Sequence, residues 1–169
     1  MTKKIEAWVG VGSNLGNCVT LCTEAMEKLR LLFPDGFVGS SLYCTSPVGE
    51  GIEGEFVNAV CRVYTDLPIK TFFFVLEAME QELGKVLKTR GTGNRMIDLD
   101  LLLYGEESVQ EEGLQVPHPK WADRLFVLIP MREITSSILW QGEPISLTDR
   151  ITELRERAEE TVFVKKIQT

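Results

Sequence analysis

The chain has 169 residues, 44% of them apolar and 25% charged, which fits one globular domain over 1–169 and is too apolar for a disordered segment. Its net charge of −7 excludes recognition that relies on bulk positive charge, so no nucleic-acid partner is expected, and a phosphate-bearing ligand must be held by a few local cations or by metal ions. No run approaches the about 20 apolar residues of a membrane span, and the polar start of the chain has no long apolar core of an export signal, so cytoplasm is the expected compartment.

The four cysteines, Cys18, Cys22, Cys44 and Cys61, form no Cys-x-x-Cys, and His118 is the single histidine. A structural zinc site needs four such ligands together, so reduced thiols are the simpler expectation.

In chain order, Ile5 to Val11 reads as a short apolar strand that ends in the turn-forming run Gly10 to Asn17. Leu21, Ala25, Leu29 and Leu32 recur at helical spacing over Cys18 to Phe33, and Pro34-Asp35-Gly36 stops that helix. Phe37 to Cys44 reads as a strand, and Thr45 to Glu55 as a loop. Phe56 to Tyr64 is the next strand, with Phe56, Asn58, Val60, Arg62 and Tyr64 on one face. Pro68 opens a helix that runs to about Leu83 and is capped by Gly84. Lys85 to Asn94 is a polar loop carrying Lys85, Lys88 and Arg90.

Met96 to Tyr104 is a strand rich in Ile and Leu, and Gly105 to Gly113 an acidic turn region. Pro117-His118-Pro119 reads as rigid and extended, and Leu125 to Ile134 as a short helix. A turn, a charged helix over Leu147 to Glu160 and a last strand over Val162 to Ile167 complete the chain. The order β-α-β-β-α-β is that of a ferredoxin-like α+β sandwich, with a mainly antiparallel four-stranded sheet, helices on one face and C-terminal additions.

Asp98 and Asp100 carry the most chemistry. Side chains alternate along a strand, so both carboxylates share one face while Ile97, Leu99 and Leu101 take the other. Adjacent carboxylates repel, more so when desolvated, and a hard divalent cation such as Mg²⁺ relieves that repulsion and bridges to phosphate. Arg95, three residues upstream, is suited to gripping a phosphate with its planar fork. The plain alternative is an acidic strand face that meets solvent or pairs with Lys and Arg.

Several further segments stand in a telling order: Val11-Gly12-Ser13-Asn14-Leu15-Gly16-Asn17, Thr45-Ser46-Pro47-Val48-Gly49, Phe56-Val57-Asn58-Ala59, Arg95 to Gly105, Val116-Pro117-His118-Pro119 and Arg124 to Pro130. With these, the chain from about Ala7 to Ile134 resembles the 6-hydroxymethyl-7,8-dihydropterin pyrophosphokinases of folate biosynthesis. The resemblance implies a magnesium-dependent transferase that moves the diphosphate of ATP, its co-substrate, onto the hydroxymethyl oxygen of the pterin and releases AMP.

It implies that Asp98 and Asp100 bind two Mg²⁺ ions. Asn58 would bond the pterin edge, helped by groups around Thr45, Ser46 and Val48, and Phe56 and Phe126 would sandwich the flat ring. His118 and Arg124 would meet the ATP phosphates, Lys85 and Arg95 would act on ATP and the transferred group, and Leu101 with Gly113 to Gln115 would adjoin adenine. Taken alone, Phe56 and Phe126 also suit a core, Asn58 a backbone group, and His118 a turn. The Gly12 to Asn17 run lacks the Gly-Lys-Ser/Thr of a phosphate loop and reads as a strand-to-helix connection.

The chain departs from the family where Gly-Arg-x-Arg is common, showing Gly84-Lys85-Val86-Leu87, and where an aromatic residue and Gly-Pro-Arg are common, showing Thr92-Gly93-Asn94-Arg95; Pro119 replaces a frequent aromatic. Lys85 keeps charge without the fork, and Lys88 or Arg90 could compensate from a mobile loop. No general base stands out. The expected function is therefore pyrophosphokinase, against a weakened pterin- or nucleotide-binding homologue and an unrelated ferredoxin-like sensor or interaction domain.

Overall fold

A computed structural model describes residues 2–46, 54–84, 96–157 and 163–168. The expectations for Val48, Lys85, Leu87, Lys88, Arg90, Thr92, Asn94 and Arg95 lie outside the described residues.

The elements are β1 (Ile5–Ser13), α1 (Cys18–Leu32), β2 (Val38–Gly39), β3 (Tyr43–Thr45), β4 (Phe56–Thr65), α2 (Ile69–Glu82), β5 (Asp98–Tyr104), β6 (Val109–Glu111), β7 (Leu114–Val116), a 3₁₀ turn (Trp121–Asp123), α3 (Leu125–Ile134), β8 (Ser137–Trp140), β9 (Glu143–Ser146), α4 (Leu147–Arg157) and β10 (Val164–Lys166). The fold is α+β. Its main sheet is antiparallel in the order β10-β3-β4-β1-β5, with β2 also on β4. Among the described residues six strands stand where four are expected, because the expected second strand is broken and the C-terminal strand joins the edge.

The break falls at Ser40. Its backbone N–H still donates to the Val60 carbonyl (2.9 Å), while its hydroxyl accepts the Val60 N–H (2.9 Å). A side chain thus replaces one rung of the ladder, and the chain turns before β3. Two hairpins, β6–β7 and β8–β9, begin where the sequence suggests turns. The second closes on Gln141 (φ 51°) and Gly142 (φ 78°), the paired left-handed residues of a tight two-residue hairpin turn, which Asn-Gly or Asp-Gly signals more plainly than Gln-Gly.

Helices cover both faces, not one. On the first face α1 and α2 bury Cys22, Ala25, Leu29, Phe72, Leu76 and Met79 against Val9, Val11, Val57, Ala59, Cys61, Leu99 and Leu101. On the second, α3 and α4 bury Leu128, Met131, Leu147 and Ile151 against Trp8, Tyr43, Val60, Leu102 and Leu103. The second layer went unread because α3 is short and nearly all apolar, and so shows no one-sided stripe.

The register between β1 and β5 shifts between Trp8 and Val9. Adjacent Leu102 and Leu103 consequently both serve the second core, as a bulge permits. The Pro117 to Pro119 segment is not extended: the Val116–Pro117 peptide is cis, and the Trp121 N–H bonds the His118 carbonyl (3.1 Å) to begin the 3₁₀ turn. The C-terminal helix ends at Arg157 within the described residues. No described helix is long and apolar enough to cross a membrane.

Candidate active site

The second face of the sheet is half core and half open floor. On β1 the residues facing that way are Trp8, Gly10 and Gly12. Trp8 is buried in the core, while the two glycines carry no side chain above the sheet. Gly12 pairs with Asn58 on one side and Asp98 on the other, and Gly10 with Val60 and Asp100. Neighbouring strands are about 4.8 Å apart, so a trough about two strand spacings wide runs between Asn58 and Asp98. A Cβ on Gly12 would come within 3.0 Å of Asn58 Oδ1, and one on Gly10 would meet Leu102 and the Asp100 Cβ at 3.5–3.7 Å.

Asp98 and Asp100 are half-buried on the outer strand β5. Residues two apart on a strand lie about 7 Å apart, a spacing that seats one or two hard cations between carboxylate oxygens and phosphate. Among the described residues no group of three or more His, Cys, Asp or Glu could hold a metal ion. Two carboxylates are donors of the kind Mg²⁺ accepts, since that ion keeps waters and takes phosphate as ligand rather than needing a protein cage.

Between the two aspartates, the Leu99 N–H turns to the sheet's outer edge and donates to Glu80 Oε1 at 2.7 Å. Glu80 is only 4% exposed, so a buried carboxylate from α2 fixes the strand that bears the pair. Sequence reasoning missed it. The signal was an acid on the apolar face of α2, beside Leu76 and Met79.

His118 lies within electrostatic reach of both Asp98 and Arg124. The His118 N–H donates to the Leu102 carbonyl (2.8 Å), pinning the residue to β5. Its Nδ1 accepts the Lys120 N–H (3.1 Å), which leaves Nε2 to carry the ring proton. Burial holds the imidazole pKa below its ordinary 6.5, Arg124 and Lys120 push the same way, and Asp98 opposes them. Neutral His118 is thus a hydrogen-bond donor among charges of both signs. Arg124 stands at the N-terminal cap of α3 with its guanidinium 5.3 Å from the Phe126 ring centre, a cation–π contact.

Across the trough, Asn58 Nδ2 donates to Thr45 Oγ1 (2.8 Å), and both side chains are buried. Phe56 sits half-buried opposite Thr45 on β4, and Phe126 half-buried at the start of α3 over the same face. Ser46 is held by the C-terminal segment: its N–H donates to the Phe163 carbonyl (3.2 Å), and its hydroxyl accepts the Phe163 N–H (2.9 Å).

Leu101 is 5% exposed and its side chain lies in the first core, so only its backbone on β5 remains to meet a ligand. Gly113 turns the β6–β7 hairpin with φ +83°, and Gln115 is exposed on β7. Gly10 and Gly12 are the floor-forming residues that the sequence reading took for a turn and a connection. Their alternation with Val9 and Val11 was the clue.

Residues 8–136 match the model of the family described as 7,8-dihydro-6-hydroxymethylpterin-pyrophosphokinase. A 2-amino-4-hydroxy-6-hydroxymethyldihydropteridine pyrophosphokinase of Haemophilus influenzae is 36% identical over 151 residues, covering 89% of this chain and 91% of that protein. A protein of the same name from Bacillus subtilis is 35% identical, over 78% of this chain and 79% of that one. The folic acid synthesis protein fol1 of Pneumocystis carinii is 36% identical over 78% of this chain, which spans 18% of that longer protein. The solved Plasmodium falciparum HPPK-DHPS has the same fold, with a TM-score of 0.68 at 12% identity, over 92% of this chain and 45% of that one. The chain belongs to the 7,8-dihydro-6-hydroxymethylpterin-pyrophosphokinase family.

Proposed function

We propose that this protein transfers the diphosphate of ATP to the hydroxymethyl group of 6-hydroxymethyl-7,8-dihydropterin and releases AMP, a step of folate biosynthesis. The observation that carries the reading is the glycine-floored trough, with Asn58 and Thr45 on one wall and Asp98 and Asp100 on the other. A flat ring with polar edges fits the first wall, and a metal-bound triphosphate the second.

In this reading the pterin lies between Phe56 and Phe126, with its edge bonded to Asn58, Thr45 and Ser46 and with Val48 adjoining. Asp98 and Asp100 would hold two Mg²⁺ ions, which would supply positive charge against the triphosphate. His118 donates from Nε2 to a phosphate oxygen, and Arg124 pairs with a second. Lys85 and Arg95 complete the charge around the transferred group, and Leu101 meets adenine through its backbone. Catalysis then consists of holding the hydroxymethyl oxygen in line with the β-phosphorus and stabilising the charge that develops there.

The fold is read as the ferredoxin-like sandwich, a single domain over 1–169 in the cytoplasm. The paired name of the Plasmodium chain supports a folate-pathway enzyme as the class of partner. An AMP-release assay with ATP, Mg²⁺ and the hydroxymethyl-dihydropterin tests the activity. AMP formed only when all three are present is the expected result. Pterin and ATP binding with no AMP would overturn it in favour of a binding protein.

A further inference from the structure

The residues assigned above to the ATP phosphates, His118 and Arg124, are joined by the 3₁₀ turn Trp121–Asp123. The turn is short, and such turns have poor hydrogen-bond geometry of their own. Its internal bonds are Trp121 N–H to the His118 carbonyl and Asp123 N–H to the Lys120 carbonyl, each 3.1 Å. Asp123 is exposed and immediately precedes Arg124. A carboxylate beside a phosphate-binding guanidinium is a hazard twice over: it repels the triphosphate, and it competes for the guanidinium.

The C-terminal helix α4 answers that hazard. Leu147 and Ile151 anchor it in the second core, and between them Arg150 reaches the turn. Its Nε–H donates to the Ala122 carbonyl at 2.7 Å, and one Nη pairs with Asp123. The other Nη bonds Glu153 Oε2 at 2.8 Å, which aims the fork from its own helix. One planar guanidinium thus holds a carbonyl and the neighbouring carboxylate at once, which an ammonium cannot do with the same geometry.

We propose that Arg150 is a positioning residue for ATP: it engages Asp123 and the Ala122 carbonyl so that Arg124 stays available to phosphate. The inference rests on the assignment of Arg124 to the ATP phosphates. It gives the C-terminal helix a function beyond covering the core, and predicts that loss of Arg150 injures ATP use and spares pterin binding, because Asn58, Thr45 and Ser46 lie on other elements and Phe126 is held by packing against the second core.

The test is steady-state kinetics together with calorimetry, using Mg²⁺ with α,β-methylene-ATP as the probe. Arg150→Met is expected to raise KM for ATP and the Kd of the analogue by about tenfold, the scale of one lost charge-assisted contact. It should leave kcat within about twofold and pterin affinity unchanged, as expected for a loss of uniform binding. Arg150→Lys should fall between Arg150→Met and the wild type. Adding Asp123→Asn to Arg150→Met should recover most of the defect by removing the competitor.

An unchanged KM for ATP in folded Arg150→Met and Arg150→Lys would overturn the proposal, and so would a defect that Asp123→Asn leaves in place. Failure of the underlying reading shows up separately. It would appear as a wild-type protein that forms no AMP, or as an Arg124→Ala variant that binds the analogue as the wild type does.

Discussion

The two faces of the sheet use the same strands for opposite ends. On the first face the middle of β1, β4 and β5 is filled: Val9, Val11, Val57, Ala59, Leu99 and Leu101 share one apolar core with α1 and α2, and the buried polar residues Ser13 and Thr65 fall at strand ends. On the second face the filling stops halfway. Trp8, Val60 and Leu102 are packed under α3 and α4, and beyond them come Gly10, Gly12, Asn58, Asp98 and Asp100. In that open half, each strand alternates core residues at odd-numbered positions with candidate site residues at even ones, and substitutions one residue apart should report different properties.

The largest effect expected on that basis is at the carboxylates. Asp98→Asn and Asp100→Asn should each lower kcat by about a hundred- to a thousandfold, the scale for losing one preorganised electrostatic group, with the melting temperature close to that of the wild type. AMP release and calorimetric melting measure both. A large drop in melting temperature would make the pair structural and dissolve the contrast between faces.

Leu99→Ala, the residue between them, should do the reverse. It deletes packing in the first core and should cost about 2–5 kcal/mol in denaturant titration, while the folded fraction keeps kcat within a few-fold. Loss of turnover without loss of stability would show the faces to be less separate than the register implies.

A smaller effect sharpens the reading of the floor. Gly12→Ala puts a methyl 3.0 Å from Asn58 Oδ1, so the amide that bonds Thr45 must give by a few tenths of an ångström. Pterin affinity by calorimetry should fall about tenfold, the order of one buried hydrogen bond, and Gly10→Ala, with ordinary contacts only, should change it less.

The smallest is a pH effect. The folded pKa of His118 lies below 6.5, through burial first and then the neighbouring cations. Below the unfolded value the unfolded chain binds the proton more readily, so this contribution to stability is full above about pH 6.5 and fades as pH falls through the folded value. Stability measured from pH 7.5 to 5 should therefore fall less steeply for His118→Gln than for the wild type.

Much of this was legible in the sequence where a pattern had one period. Helices α1 and α2 and strands β4 and β5 were placed within a few residues, because apolar positions recur at fixed steps and Pro and Gly mark their ends. Asp98 and Asp100 stood out as charges on an otherwise apolar strand. Legibility failed where a side chain replaced backbone pairing, as at Ser40, or where the meaning of a residue lay in a distant partner. Glu80 is an ordinary helix glutamate until Leu99 is placed beside it, and Arg150 an ordinary surface arginine until the 3₁₀ turn is. Glycines 10 and 12 looked like turn formers, because glycine marks both a bend and an empty floor.

The pairing of β10 with β3 has a consequence for solubility. A sheet ending at β3 would expose unpaired peptide groups beside Thr45 and Ser46, a template for adding a strand from another molecule. The C-terminal strand plugs that end with a lysine-bearing segment, and Glu80 guards part of the opposite end by accepting the Leu99 N–H. Trimming the chain before Val164 should therefore do more than loosen the Ser46 side of the trough: it should leave the bare β3 edge prone to pairing with a strand of another molecule.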